Sequence, residues 1–240
     1  MSFYDEQTEI LTETGWILFK DLTTEHKVAT LVNGTELEYE NPKIIQSTQY
    51  QGKLYQVTGP NIDLCVSPNH NLWLSNDGLN FHFESPINLY TKPWFFQKNI
   101  ISYQNKNFRS FYKILILCGQ DDVHQFMTDN VLNVMAKTSN CHEMYNGILC
   151  ELGDTKYETN LKFADGYQRL ALHVGLSVDI KNLSNDRYQV NINTHSNHQV
   201  NNKFSQDEWI DYNGKVYSCS VNSGIIYVRR NYKPIFSGCQ

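Results

Sequence analysis

Polar and apolar positions alternate with a period of two through much of the first 75 residues, in short runs separated by turn residues: "TEILT", "GWILF", "KVATLV", "NGTELEYE", "KIIQSTQY", "KLYQVTG", "IDLCVS" and "NLWLS". Alternation over four to eight residues predicts half-buried strands. "NG" at Asn33-Gly34 and "NDG" at Asn76 to Gly78 supply tight turns between them. The same texture returns near the other end, in "GKVYSCSV" and "GIIYVRR", where Val216, Ser218 and Ser220 alternate with Tyr217, Cys219 and Val221. These two runs read as a strand pair turned by "NSG".

Between the two β regions the period changes. "DDVHQFMTDNVLNVMAKTS" and "KFADGYQRLALHVGLSVDI" carry apolar residues three and four apart, as in Phe163, Tyr167, Leu170 and Val174, and each begins beside acidic residues. That spacing predicts helices. A β unit whose two ends flank an α+β segment is the pattern of one domain inserted in a loop of another, with junctions in the Asn-rich stretches near Asn105 and Lys203. The division is 1–104, 105–203 and 204–240.

Composition adjusts this picture. A chain of 240 residues, 40% hydrophobic and 13% aromatic, can bury a full core. A net charge of −5 excludes coating nucleic acid by bulk electrostatics, so any DNA contact is local. No apolar run approaches the ~20 residues that span a bilayer, and "MSFYDEQTE" is too acidic for a signal peptide. The expectation is a soluble, cytoplasmic protein with no membrane partner. Cys65, Cys118, Cys141, Cys150, Cys219 and Cys239 include no C-x-x-C pair, which fits buried free thiols better than a zinc site.

Three ordered blocks then carry a resemblance. "SFYDEQTEILTETGWILFKDL" resembles the opening block of inteins and phage-borne Hint domains, "VSPNHNLWL" their Thr-x-x-His block, and "GKVYSCSVNSGIIYVRRNYKPIFSG" their terminal blocks. The resemblance implies a mainly β, horseshoe-like Hint fold, protein self-splicing, and the flanking segments of the precursor (the exteins) as partners, inside the host cell of a phage or virus. Splicing of this kind uses no cofactor.

Carried onto this chain, Ser2 is the nucleophile that converts the preceding amide to an ester. His70 polarises and protonates the leaving amide nitrogen. Ser67 donates to the scissile carbonyl or orients the bond. The family's activating residue after "VY" falls at Ser218, with Cys219 next to it. Gln240 cyclises through its side-chain amide to release the downstream segment, and the stop after "FSGCQ" marks the splice point. In a second register Cys239 is the downstream nucleophile and no cyclising amide is present.

"MYNGILCELGDTKYETNLKFADGYQRLALHVGLSVDI" resembles the second half of a LAGLIDADG homing endonuclease. Gly153-Asp154 then ends a helix, and Asp154 is the candidate DNA-cleavage residue and metal ligand, for Mg²⁺ if the insert is active. Such an enzyme needs two carboxylates, and Asp121 and Asp122 fall too close upstream for a complete first repeat. Gly166 stands where the family has Asp. The region reads as a decayed, miniaturised α+β endonuclease subdomain. The alternatives to splicing are therefore DNA binding or cutting through the insert, and an inactive Hint remnant.

Overall fold

A computed structural model describes residues 2–89, 94–100, 156–173, 177–184, 186–193 and 206–239. The first run gives β1 (Glu9–Thr12) and β2 (Gly15–Leu18), which form a hairpin, followed by β3 (Val28–Val32) and β4 (Glu36–Glu40). Asn33 and Gly34 turn that second hairpin with φ of 52° and 71°, the left-handed pair that an Asn-Gly sequence tolerates.

Next come β5 (Ile44–Gly59), β6 (Ile62–Val66), β7 (Leu72–Ser75), β8 (Phe81–Glu84) and β9 (Phe95–Phe96). The central segment contributes β10 (Lys156–Thr159), helix α1 (Leu161–His173), β11 (Ser177–Ser184) and β12 (Arg187–Asn193). The chain then runs through β13 (Gln206–Ser220), β14 (Ile225–Arg230) and β15 (Lys233–Gly238). Among the described residues these strands form four sheets: β15-β14-β1-β3-β4 with β2 on β1, then β13-β5-β6, β8-β7-β9 and β10-β12-β11.

Two local expectations are corrected. "KIIQSTQY" and "KLYQVTG" are one strand, β5, paired along its whole length with β13 from Ile44↔Ser220 to Thr58↔Gln206. Gly52 does not break it, because the Tyr50 ring lies over Gly52 while Tyr212 covers Gly214 across the ribbon. The aromatic faces supply the packing the glycines lack.

Nor do "GKVYSCSV" and "GIIYVRR" pair with each other. The first is the end of β13 and bonds to β5; the second is β14 and bonds to β15 and β1. All six residues of β14 are buried, so it is a central strand with neighbours on both sides. "NSG" carries the chain from one sheet to the other.

In the central segment, "KFADGYQRLALH" is helical as its spacing predicts, but "SVDI" opens β11. The helix predicted over "DDVHQFMTDNVLNVMAKTS" lies outside the described residues. The described part of this segment is not packed on itself alone. Ala164, Tyr167, Ala171, Val178 and Val190 share one buried cluster with Leu11, Leu31, Tyr227 and Phe236 of the β unit.

Arg229 joins the two regions further. Only 2% exposed, it bonds Glu9 (2.7 Å), Asp165 (2.5 Å) and Gln168 (2.9 Å), and its guanidinium lies 4.4 Å from the Trp16 ring centroid. A buried guanidinium needs such partners. The described part of the insert thus shares a core and an ion pair with the β unit. The second cluster, around Tyr4, Leu64, Val66, Leu72, Ile226 and Cys239, carries the candidate site.

Candidate active site between the first and last strands

The segment after Ser2 is threaded into the molecule by its backbone. Tyr4 exchanges two hydrogen bonds with Tyr217 of β13 (2.8 and 2.9 Å) and bridges Val66 on its other side. Ser67 N–H donates to Phe3 O, and Phe3 N–H donates to Ser67 Oγ, both at 3.0 Å. The Ser67 side chain thus fixes the residue directly after Ser2.

The turn from Ser67 to His70, closed by His70 N–H to Ser67 O at 3.0 Å, then buries the imidazole completely. Its Nε2 lies 3.1 Å from Ser237 Oγ on β15. Burial lowers its pKa from 6.5 to about 3, although the Phe3 and Gly238 backbone groups push the other way. Neither reaches good hydrogen-bond geometry with Nδ1, which has no partner among the described residues. The tautomer follows the direction of this bond: if the Ser237 hydroxyl donates to Nε2, the proton of the neutral ring sits on Nδ1.

Asn71, one residue on, touches both ends of the chain through its main chain. Its N–H donates to Ser2 Oγ at 3.1 Å. Its carbonyl oxygen lies so close to Gly238 that a Cβ on Gly238 would come within 1.9 Å of it. Only glycine fits there. Tyr4 adds a second link, its hydroxyl donating to the Gly238 carbonyl. Cys239 is held by its N–H to Gly224 O at 3.0 Å.

Ser2, 2% exposed, lines a cavity of about 150 Å³ with Gln46, Ser218, Cys219 and Cys239. Here the structure assembles Ser2, Ser218, Cys219 and Cys239 around one space, and Ser67 and His70 stand on the turn beside it. The Cys219 thiol is held well above its usual pKa, first by its hydrogen bond with Cys239 and then by burial. It rests as a thiol rather than a nucleophilic thiolate.

Gln240 and Asp154 lie outside the described residues. Among the described residues no group of three or more His, Cys, Asp or Glu could hold a metal, and no helix is long and apolar enough to cross a membrane.

No protein-family model matches the chain. Among solved structures, the chain is similar to the AceL NrdHF class 3 split intein in a splice-inactive variant, with a TM-score of 0.52 over 99% of this chain and 98% of that one, at 12% identity. This is the intein fold. Sequence relatives match locally: 40% identity over 67 residues to an ATP-dependent Clp protease proteolytic subunit of Chlamydomonas moewusii, and 39% over 69 residues to a DNA-directed RNA polymerase subunit beta C-terminal section of Stigeoclonium helveticum. The match spans 28% of this chain but only 7% and 6% of those proteins.

Within the intein fold, three contact residues escape sequence reasoning: Tyr4, Asn71 and Ser237. Asn71 acts through its backbone, which leaves no signature of residue type. Tyr4 and Ser237 leave no pattern either, since only the tertiary register shows what their hydroxyls meet.

Proposed function

We propose that the chain is a protein-splicing element whose substrates are the peptide bonds that flank it, the adjoining segments of its precursor being its partners in the reaction. The observation that carries this reading is the convergence of Ser2, His70 and the Ser237-Gly238-Cys239 end of β15 through Asn71 and Ser237. Catalysis by positioned groups requires this proximity.

In the first step Ser2 Oγ attacks the carbonyl carbon of the preceding residue. The C–N bond breaks, an ester forms, and the hydroxyl proton ends on the freed Ser2 amine. The Nδ1–H of neutral His70 polarises the amide nitrogen as it becomes an amine, while Ser67 keeps Phe3, and with it the bond to be broken, in one orientation. Ser218 sits in the cavity wall, placed to hydrogen-bond the acyl group as it is transferred.

Release at the other end occurs when the Gln240 side-chain nitrogen attacks its own carbonyl and closes a six-membered ring. A second reading makes Cys239 the acceptor of the acyl group from Ser2, with the ester becoming a thioester. The shared cavity favours it, since Cys239 and Ser2 line the same space.

Splicing is tested by fusing one reporter protein before Ser2 and another after Gln240. Ligated reporters, or reporters cleaved at these positions, are the expected products; a fusion that stays intact under hydroxylamine as well as buffer would refute the reading.

A further inference from the structure

We infer that Tyr4 is a positioning residue for the downstream junction, its buried phenol holding the Gly238 carbonyl so that the end of β15 keeps its place against His70 and Ser2. The inference rests on the splicing reading above.

Tyr4 meets β13, the His70 ring and the end of β15. It is wholly buried, with its backbone laddered to Tyr217 and bridged to Val66. Its ring stacks on Phe19 at 5.2 Å and meets His70 edge-on at 4.5 Å and 75°. Its hydroxyl reaches across to Gly238, two residues from one junction in sequence and beside the other in space.

Burial holds the phenol well above its usual pKa, which keeps it a proton donor at any working pH. The Gly238 carbonyl lies one peptide before Cys239, so the donated bond sets the direction in which the chain leaves β15. The Gly238 backbone also faces His70, while β15 pairs with β14 at Gly238↔Ile225 on its other edge and Asn71 meets Gly238 by close packing.

Tyr4→Phe keeps the ring, its stacking and its edge contact with His70, and removes the hydroxyl that donates to Gly238 and also meets Ser237. In the full chain carrying both reporters, downstream release slows by about tenfold, the usual effect of leaving a buried carbonyl unsatisfied at a reacting segment. The hydroxylamine-sensitive ester at Ser2 forms within about twofold of the parent rate. Tyr227→Phe removes another buried tyrosine-to-carbonyl bond, that of Tyr227 to Lys98 O at 3.0 Å, away from the junctions. It controls for loss of stability and leaves the ratio of the two rates unchanged.

Equal slowing at both ends in Tyr4→Phe, or no slowing, overturns the inference while splicing by the parent stands. If the parent fusion forms neither ester nor release, the splicing reading falls by itself. Amide exchange at Cys239 then decides: about tenfold faster exchange in Tyr4→Phe than in the parent or Tyr227→Phe supports the tie, and unchanged exchange overturns it.

Discussion

Gly238→Ala tests the geometry of the site with a single methyl group. The added Cβ would stand 1.9 Å from the Asn71 carbonyl oxygen and 3.0 Å from its carbon, where real Cβ contacts essentially never fall below 3.0 Å. One of the two backbones must therefore move by at least about 1 Å, because neither is a flexible side-chain tip. If Asn71 yields, its N–H leaves Ser2 Oγ and the turn that carries His70 shifts with it. If β15 yields, Gly238 leaves Tyr4 and Ser237 leaves His70. A misplacement of about 1 Å costs roughly a hundredfold in rate, and overpacking of this kind about 1–3 kcal/mol of stability. Both junctions should slow together in the dual-reporter fusion, followed by mass spectrometry, while the urea midpoint falls modestly. Processing by Gly238→Ala within threefold of the parent, in a protein of unchanged midpoint, would refute the argument that Asn71 joins the two ends.

Other parts of the structure set further outcomes. Ser2→Ala should abolish upstream cleavage and Gln240→Ala downstream release, each sparing the other end; release retained in Gln240→Ala but lost in Cys239→Ala selects the Cys239 register. His70→Ala should slow the upstream step by about a hundredfold or more, measured as ester formation under hydroxylamine. Acid should destabilise the fold: burial lowers His70 to about 3 and His173 to about 4. The unfolded chain takes up both protons near pH 6.5, so stability present above that pH is lost as it falls toward 4. From pH 7.5 to 5 the loss is about 2 kcal/mol for each histidine, and equal urea midpoints at the two pH values would contradict it. Replacing residues 105–203 with a short linker should cost the protein its cooperative unfolding, because it uncovers Leu11, Leu31 and Tyr227 and strips Asp165 and Gln168 from Arg229. A sharp, parent-like denaturant transition in that deletion would show that the β unit has its own core.

The elements that sequence pattern foretold are those whose cause is local. Asn33-Gly34 makes its hairpin because both residues accept positive φ, and α1 forms because Ala164, Tyr167, Gln168 and Ala171 put one face inward. Ser2 and His70 stand out in the sequence because their residue types suit acyl-transfer chemistry, and the fold places both beside Asn71. What stayed hidden is relational. The apolar start of β14 says that the strand is buried, yet nothing in it distinguishes β13 from β15 as its partner. The continuity of β5 depends on Tyr50 and Tyr212 covering glycines that otherwise read as breaks. Asp165 reads as part of a nuclease-like helix but serves as a counter-ion to Arg229, a partnership between residues 64 apart in sequence.

The long ribbon of β5 and β13 also sets a clock. While the chain is being made, β5 leaves the ribosome long before β13, and much of its length has no strand to bond until residues 206–220 emerge. At about 5–20 residues per second that interval lasts roughly 7–30 s. During it Tyr4 lacks Tyr217, His70 lacks Ser237, and nothing presses on the Asn71 carbonyl. Under the proposed splicing reaction, Ser2 is translated well before β13 yet would become competent only after the last strands arrive, so the upstream bond would not break on a half-made chain.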